Sequence, residues 1–337
     1  MKYKNQTLQI IFSTVILIVL LIDTNTETAD VRDGIEICLN VIIPSLFPFF
    51  IITTYLNSIL SDYKLPGIRY LTKKLHIPEG GESILLLGLV GGYPIGAKLI
   101  ADLYKAEEID EDTARILLGY CNNAGPSFIF GISSAAFASP IVPFALWFIH
   151  ILSAVITGFL LPKPKCKKIT VHQSAGKTIT QAMRNSISAS ISVCGWVIIF
   201  KIILTYLYCW FPILIKSQFG ILITGILELS NGCIAAAQIP DTEIRFILFS
   251  TFFACGGLCV LLQTVSVTST LGTGLYVHGK ILQTGFSFLL ACACGKVLFL
   301  SSQTSNTMII AMVLSVVTIT FTLRYVNNCG NRIKNHI

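Results

Sequence analysis

Two short runs rich in glycine and proline interrupt segments of this chain that are otherwise apolar. The first is Gly-Gly-Tyr-Pro-Ile-Gly-Ala-Lys at 91–98, and the second is Asn-Asn-Ala-Gly-Pro at 122–126. In lipid, the backbone groups freed by a helix break find no water to bond. Broken helices therefore occur at membrane depth only where protein buries them or where they line a polar cavity. The two runs predict a substrate-binding cavity, and with it a transporter.

The composition is that of a polytopic membrane protein. Of the 337 residues, 53% are hydrophobic and 12% are charged, whereas soluble domains carry about 25% charged residues. The eleven cysteines form no CxxC pair and no Cys/His ligand set, which predicts small apolar packing residues and no metal site. The chain carries no HExxH, GxSxG or P-loop motif, so we expect no enzyme activity and no cofactor.

The apolar segments predict an all-α fold. Segments of spanning length occur at about 8–22, 35–60, 113–138, 141–161, 186–207, 243–270, 279–299 and 306–325. Two shorter ones, 83–101 and 219–239, are interrupted. If 83–101 spanned the membrane, the basic run 163–184 would lie outside, against the preference of such loops for the cytoplasm. We therefore predict about eight transmembrane helices and two re-entrant helical hairpins, with both termini in the cytoplasm.

The order of these segments divides the chain. The segment 8–22 follows Lys2 and Lys4 and lacks a small-residue cleavage site, so we expect a retained signal anchor. The predicted divisions are the anchor and an outer loop (1–34), a first repeat (35–162), a basic cytoplasmic linker (163–185), a second repeat (186–300), and a last helix with a basic tail (301–337). The repeats share one order with opposite orientation, an inverted-topology repeat that binds substrate near the midplane.

The breaks also indicate which chemistry the cavity offers. After Pro94 a helix restarts near Gly96, and a helix N-terminus favours an anion, which Lys98 would reinforce. Pro126 suits the first position of a second half-helix, and Asn122 and Asn123 supply uncharged donors and acceptors. Without a role in binding, Lys98 would extend its amino group to the membrane surface, and Pro126 would only kink its helix.

The second half has a counterpart in Glu-Leu-Ser-Asn-Gly at 228–232, followed by Gly256-Gly257 and Gln263. A carboxylate inside the membrane is a functional hypothesis by default. Glu228 could bind a coupling proton or Na⁺, or it could form an ion pair with a lysine. Lys201 and Lys296 lie within apolar segments and are candidates either as its partners or as further contacts for an anion.

Three motifs resemble the YlbJ/SpoVV family of sporulation integral membrane proteins. They are the run 91–98, Cys-Asn-Asn-Ala-Gly-Pro at 121–126, and Val-Ile-Ile-Pro-Ser-Leu-Phe-Pro-Phe-Phe at 41–50. The likeness extends to 228–232 and 256–263, and so covers most of residues 35–300. That family belongs with the nucleoside-recognition or Gate domain proteins, which are similar in plan to concentrative nucleoside transporters. Ala124 stands where the family often has serine.

The resemblance implies a transporter of endospore formation. It would carry dipicolinic acid (pyridine-2,6-dicarboxylate) or a similar small organic anion across the outer forespore membrane by alternating access, with both termini on the mother-cell side. The expected partners are this anion, membrane lipid, a coupling ion (H⁺ or Na⁺) and a second copy of the chain, but no nucleic acid. A nucleoside or nucleobase carrier of the same fold and a non-transporting sporulation scaffold remain as alternatives. The predicted substrate-binding residues are Gly92, Tyr93, Pro94, Lys98, Asn122, Asn123, Gly125, Ser127, Glu228, Ser230, Asn231 and Gln263.

Overall fold

The computed structural model describes residues 14, 24–60, 66–166, 168–169, 178–214, 217–268 and 271–299. Within these ranges the chain is helical, and its β-structure is a single isolated bridge between Glu79 and Lys168. The predicted anchor at 8–22, apart from residue 14, and the predicted last helix and tail at 301–337 lie outside the described residues.

The helices follow the predicted order of segments. In the first half they are α1 (Thr24–Ile37), a π-helical turn (Cys38–Ile42), α2 (Ile43–Leu60), α3 (Pro66–Lys74), α4 (Glu82–Val90), α5 (Ile95–Lys105), α6 (Glu111–Leu118), α7 (Pro126–Ala136) and α8 (Ile141–Leu160). In the second half they are α9 (Ile179–Trp210), a 3₁₀ turn (Pro212–Leu214), α10 (Gln218–Leu227), α11 (Leu229–Ala237), α12 (Thr242–Cys255), α13 (Gly257–Thr268) and α14 (Gly274–Phe299).

Apart from α3, which occurs only in the first half of the described chain, and the short π and 3₁₀ turns, the same order of helices occurs in both halves. A long helix comes first, formed by α1–α2 in one half and by α9 in the other. A pair of short helices follows, α4–α5 or α10–α11, and then a broken helix, α6–α7 or α12–α13. An unbroken helix, α8 or α14, closes each half.

Among the described residues, four helical stretches are long and apolar enough to cross a membrane. They are Thr28–Leu56, Ile141–Leu160, Ile179–Trp210 and Thr242–Thr268. Their presence confirms the predicted all-α, multi-pass membrane protein.

The N-terminal end of the first long helix differs from the prediction. Residues 24–33, predicted as an outer loop, are helical and belong to α1. This segment contains no glycine or proline that would end a helix, and it packs along α9. Asp30 Oδ1 accepts a hydrogen bond from Thr205 Oγ1 at 2.8 Å, and Lys201 Nζ lies 3.7 Å from Asp33 Oδ2. These contacts keep the acidic segment helical.

The π-helical turn lies directly before Pro44. A proline ring clashes with the carbonyl four residues earlier and donates no hydrogen bond, so the preceding backbone must widen or kink. Here it widens over Cys38–Ile42, and the side chain of Ile42 is buried. Such turns often occur at functional sites, and Ile42 at the end of this one lines the small cavity described below.

Contacts between loops identify one end of the helix bundle. The backbone N–H of Ile169, which follows α8, donates to the carbonyl of Glu79, which precedes α4, at 2.8 Å. Gly119, at the end of α6, packs against Leu161 and against Leu275 at the start of α14. The beginnings of α4 and α14 and the ends of α6 and α8 therefore lie on the side of the bundle that carries the basic linker.

The opposite end is identified by Arg245. Its Nη1 donates to the carbonyl of Ala136 at 2.6 Å, and its Nη2 donates to the carbonyl of Ile239 at 2.6 Å. Because α8 runs about 30 Å from its start at Ile141 to its end near the linker, these residues lie across the bundle from Glu79.

Candidate functional site

In the first half, the tip between α4 and α5 packs against the break between α6 and α7. Gly92 has a φ of +83°, in the left-handed region that favours glycine. A Cβ atom on Gly125 would lie 3.0 Å from the Cα of Gly92. The two backbones therefore approach more closely than residues with side chains permit.

The second half repeats this arrangement. Gly256 and Gly257 separate α12 from α13 with φ angles of +71° and +77°. A Cβ atom on Gly257 would lie 3.0 Å from the carbonyl oxygen of Ile226, near the end of α10. A Cβ atom on Gly256 would lie 3.3 Å from the hydroxyl of Tyr93, so the two breaks also meet each other.

A small cavity of about 40 Å³ lies where these elements converge. Five of the predicted site residues line it, namely Tyr93, Gly125, Glu228, Ser230 and Gln263. The remaining lining residues are Ile42, Leu46, Ala124, Phe128, Val193, Val197, Leu229 and Val260. A cavity of this size has room for about three water molecules.

Glu228 caps the half-helix α11 on the wall of this small cavity. Its Oε1 accepts the N–H of Ser230 at 3.0 Å, and its Oε2 accepts the N–H and the Nδ2 of Asn231 at 2.6 and 2.8 Å. The carboxylate is 2% exposed. The N–H groups at the start of α11 are therefore satisfied by an acceptor that belongs to the protein.

The other half-helix has no such cap. The N-cap of α7 is Gly125, which makes no side-chain hydrogen bond, and Pro126 follows at the first helical position. The N-terminus of α7 therefore remains the more favourable of the two for an external anion.

The adjacent asparagines bond to the protein itself. Asn122 Nδ2 donates to Thr264 Oγ1 at 3.0 Å, and its Oδ1 accepts the N–H of Ala97 at 3.3 Å. Asn123 Nδ2 donates to the carbonyls of Tyr120 at 2.7 Å and Gly88 at 3.1 Å. Both side chains are fully buried. They connect the break to the hairpin and to the second half.

A buried lysine that the sequence analysis did not select lies at the centre of this network. Lys280 is 6% exposed, and its Nζ donates to Gln283 Oε1 at 2.7 Å, Tyr93 Oη at 3.0 Å and Asn123 Oδ1 at 3.4 Å. The ammonium group also lies over the rings of Tyr93 and Tyr276, at 5.0 and 5.8 Å from their centroids. Every one of these partners is neutral.

Lys280 has no acidic partner in the part of the chain that the structure describes. The ion pairs there join other residues: Arg69 with Glu79 and Glu82, Arg115 with Glu111, and Lys201 with Asp33. A buried cation is normally paired with an anion, because its removal from water is costly. The amino group of Lys280 is hydrogen-bonded to neutral acceptors but faces no anion among the described residues.

A larger cavity of about 600 Å³ opens beside Lys280. It is mostly apolar, with Lys280, Tyr276, Thr251 and Thr284 as its polar side chains. The remaining lining residues are Ile226, Cys255, Gly257, Leu258, Leu261, Val277, Ile281, Gly285 and Phe288. Tyr93 lines the small cavity and bonds Lys280, which lines the large one. The Tyr93 phenol therefore lies between them.

Other predicted residues lie apart from Lys280. Lys98 lines a separate crevice with Asp102 and Asn185. Ser127 faces a third cavity of about 560 Å³, between α2, α7 and α11. Neither lysine considered as a partner of Glu228 reaches it, since Lys201 pairs with Asp33 and Lys296 is exposed.

The sequence did carry a signal for Lys280. Tyr276, Lys280, Gln283 and Ser287 are spaced by four, three and four residues, which places them on one face of a helix. A polar stripe along an apolar helix predicts a face turned to the protein interior. All four of these side chains are buried.

The chain is similar to one curated protein, the sporulation integral membrane protein YlbJ of Bacillus subtilis (strain 168). The two are 24% identical over 207 residues, which covers 51% of this chain and 49% of the relative. The chain therefore spans about half the length of that relative. The similarity confirms the resemblance read from the motifs. No protein-family model and no solved structure matches the chain.

Proposed function

We propose that this protein is a membrane transporter, not an enzyme, and that it moves a small organic anion by alternating access. The candidate substrate is dipicolinate, and the candidate location is the outer forespore membrane of a sporulating bacterium, with both termini on the mother-cell side. The printed name of the similar protein supports a role in sporulation. The substrate is implied by the family resemblance and rests on the chemistry of the cavities.

The observation that carries the proposal is Lys280. A lysine buried among neutral partners, on the wall of a cavity large enough for a small molecule, is suited to an anionic ligand. A carboxylate oxygen would replace one of its three neutral acceptors, and a planar ring would lie against the apolar walls. The uncapped N-terminus of α7 follows Asn123, which Lys280 contacts, but it lines the small cavity and not the large one.

The re-entrant hairpins and the inverted repeat are part of the proposal. The helices α4 and α5 have 9 and 11 residues, or about 14 and 16 Å, too short for either to cross a hydrocarbon core of about 30 Å. If 82–105 crossed the membrane as one broken helix, the chain would cross three times between Glu79 and Ile169, through 82–105, α6–α7 and α8. These two residues share a hydrogen bond of 2.8 Å and so lie on the same side, which requires an even number of crossings. This contact supports a hairpin that enters and leaves on one side.

The cavities support alternating access. The large cavity beside Lys280 lies toward the end of the bundle that carries the basic linker, because it borders the first half of α14. The cavity beside Ser127 borders Ala136 and Gln238, near the opposite end. Tyr93 and Glu228 line the small cavity, and Tyr93 also bonds Lys280 on the wall of the large one. Movement of the two hairpin tips could open the site to either side.

The purified protein in detergent is expected to bind dipicolinate saturably in isothermal titration. Isophthalate, which has the same 1,3 arrangement of carboxylates, should displace it, because Lys280 recognises the carboxylate and the cavity walls recognise the ring. Benzoate, with one carboxylate, should displace it more weakly. Displacement by uridine and not by isophthalate would support the nucleoside carrier, and binding of neither would support the scaffold.

A further inference from the structure

We propose that one surface at the linker end of the bundle binds the phosphate headgroups of anionic phospholipids. This surface, the basic end surface, combines the outer face of α3 with the first residues of the linker. Its members are exposed side chains, namely Tyr70, Lys73, Lys74, Lys163, Lys165 and Lys168. It lies apart from Lys280 and the cavities, so its binding of lipid does not rest on the proposed function.

The helix α3 has an apolar face and a basic face. Leu71, together with Leu75 just after the helix, packs against the hydrophobic cluster that α4, α5, α6 and α8 share. Tyr70, Lys73 and Lys74 lie on the opposite face and are exposed, Tyr70 to 71%. Apolar packing therefore holds α3 against the bundle and turns its lysines outward.

A contact with α8 places α3 at the membrane boundary. A Cβ atom on Gly158 would lie 3.0 Å from Leu75 Cδ2, and Gly158 lies in the last turn of α8, which has spanning length and ends at Leu160. Lys163 follows that end by three residues, which extend at most about 10 Å. The headgroup layer is roughly 5–8 Å thick on each side. Lysines that begin at this depth reach the lipid phosphates.

The linker lies beside α3 through Glu79. Lys168 forms the isolated β-bridge with Glu79, and the backbone N–H of Ile169 donates to the Glu79 carbonyl. The carboxylate of Glu79 accepts a hydrogen bond from Arg69 Nη2, on α3, at 2.8 Å. These contacts bring Lys168 next to α3, so the lysines of the linker and of the helix belong to one surface.

The carboxylates nearby leave the lysines of this surface uncompensated. Glu79 and Glu82 both pair with Arg69, and no lysine of the basic end surface forms an ion pair within the described residues. The run 163–184 contains no acidic residue. Five positive charges at headgroup depth are complementary to an anionic leaflet.

Tyr70 gives this surface a second feature that suits lipid. The ammonium group of Lys74 lies 5.7 Å from the centroid of the Tyr70 ring, an arrangement that leaves its N–H donors available. Exposed tyrosines are enriched at the level of lipid headgroups, where the ring contacts the acyl boundary and the hydroxyl contacts water. A soluble polyanion would use the lysines but would gain nothing from this ring at the membrane boundary.

The test is native mass spectrometry of the full-length protein in a neutral detergent, mixed with equal amounts of phosphatidylglycerol and phosphatidylcholine. We expect adducts with phosphatidylglycerol to exceed those with phosphatidylcholine about tenfold, because each lysine near the headgroups adds to the attraction. Lys73→Gln combined with Lys74→Gln should reduce this preference at least threefold. Lys105→Gln combined with Lys296→Gln removes two exposed lysines outside the surface and should retain it.

Competition separates a lipid site from other anion sites. Neither inorganic phosphate nor a single-stranded RNA oligomer should displace phosphatidylglycerol. Displacement by phosphate would show a free-phosphate site, and displacement by RNA would show a nucleic-acid surface; either result would overturn the lipid site. Equal adducts of the two lipids, or an equal preference in both double variants, would overturn it as well. No measurement here contains dipicolinate, so a failure of the lipid site and a failure of the anion site are distinguishable.

Discussion

Replacing Lys280 with methionine is expected to weaken dipicolinate binding about 100-fold, because removing one partner of a buried charge pair costs about 2–5 kcal/mol. Methionine keeps an apolar stem of similar length, so it fills the same space beside Tyr93 and Tyr276. The change removes the ammonium group and the hydrogen bonds that it donates to Tyr93, Asn123 and Gln283. Isothermal titration of the full-length variant in detergent measures the loss.

Two controls separate a lost charge from a lost fold. Lys296→Met removes an exposed lysine from the same helix, α14, and should leave the affinity unchanged. The melting temperature of Lys280→Met should stay close to that of the wild type, since the loss of an unpaired buried cation offsets the loss of the hydrogen bonds that it donates. Wild-type affinity in Lys280→Met would show that the anion binds elsewhere.

Gly279→Ala is expected to destabilise the protein by about 1–3 kcal/mol, the usual effect of overpacking a well-packed interior. In the structure, a Cβ atom on Gly279 would collide with the carbonyl oxygen of Gly119. Because that oxygen belongs to the backbone at the end of α6, no side-chain rotation relieves the collision. The helices α6 and α14 would have to separate.

Gly195→Ala is the matched control for this prediction. Gly195 lies within α9, and no heavy atom lies within 4 Å of its ideal Cβ position. Alanine is favoured over glycine inside a helix by about 1 kcal/mol, so this variant should melt at or above the wild-type temperature. Thermal unfolding followed by circular dichroism compares the two variants. Equal melting temperatures would contradict the close approach of α6 and α14.

The sequence predicted the helix breaks well because glycine and proline act locally. In the structure, α4 ends at Val90, directly before the run 91–98, and α5 begins at Ile95 within it. Pro126 is the first residue of α7, as predicted. Gly256 and Gly257 divide α12 from α13. Each of these boundaries follows from a residue that allows a positive φ or lacks an N–H.

The side-chain partners could not be predicted in the same way. Lys98 follows the hairpin tip closely in sequence, but its place in the first turn of α5 directs its side chain into another crevice than that of Tyr93. Asn123 looked free to bind a ligand, yet its oxygen accepts from Gln283, 160 residues away. Such pairings depend on how the two halves pack, and no local pattern records them.

Counterflow in proteoliposomes measures transport of the anion most directly. Vesicles preloaded with unlabelled dipicolinate, with equal sodium on both sides, are diluted into radiolabelled dipicolinate, so that exchange needs no ion gradient. We expect wild-type vesicles to accumulate label well above protein-free vesicles, Lys296→Met vesicles to match them, and Lys280→Met vesicles to remain at the protein-free level. Accumulation of label by Lys280→Met at the wild-type rate, or none by the wild type, would contradict an anion transporter built around Lys280.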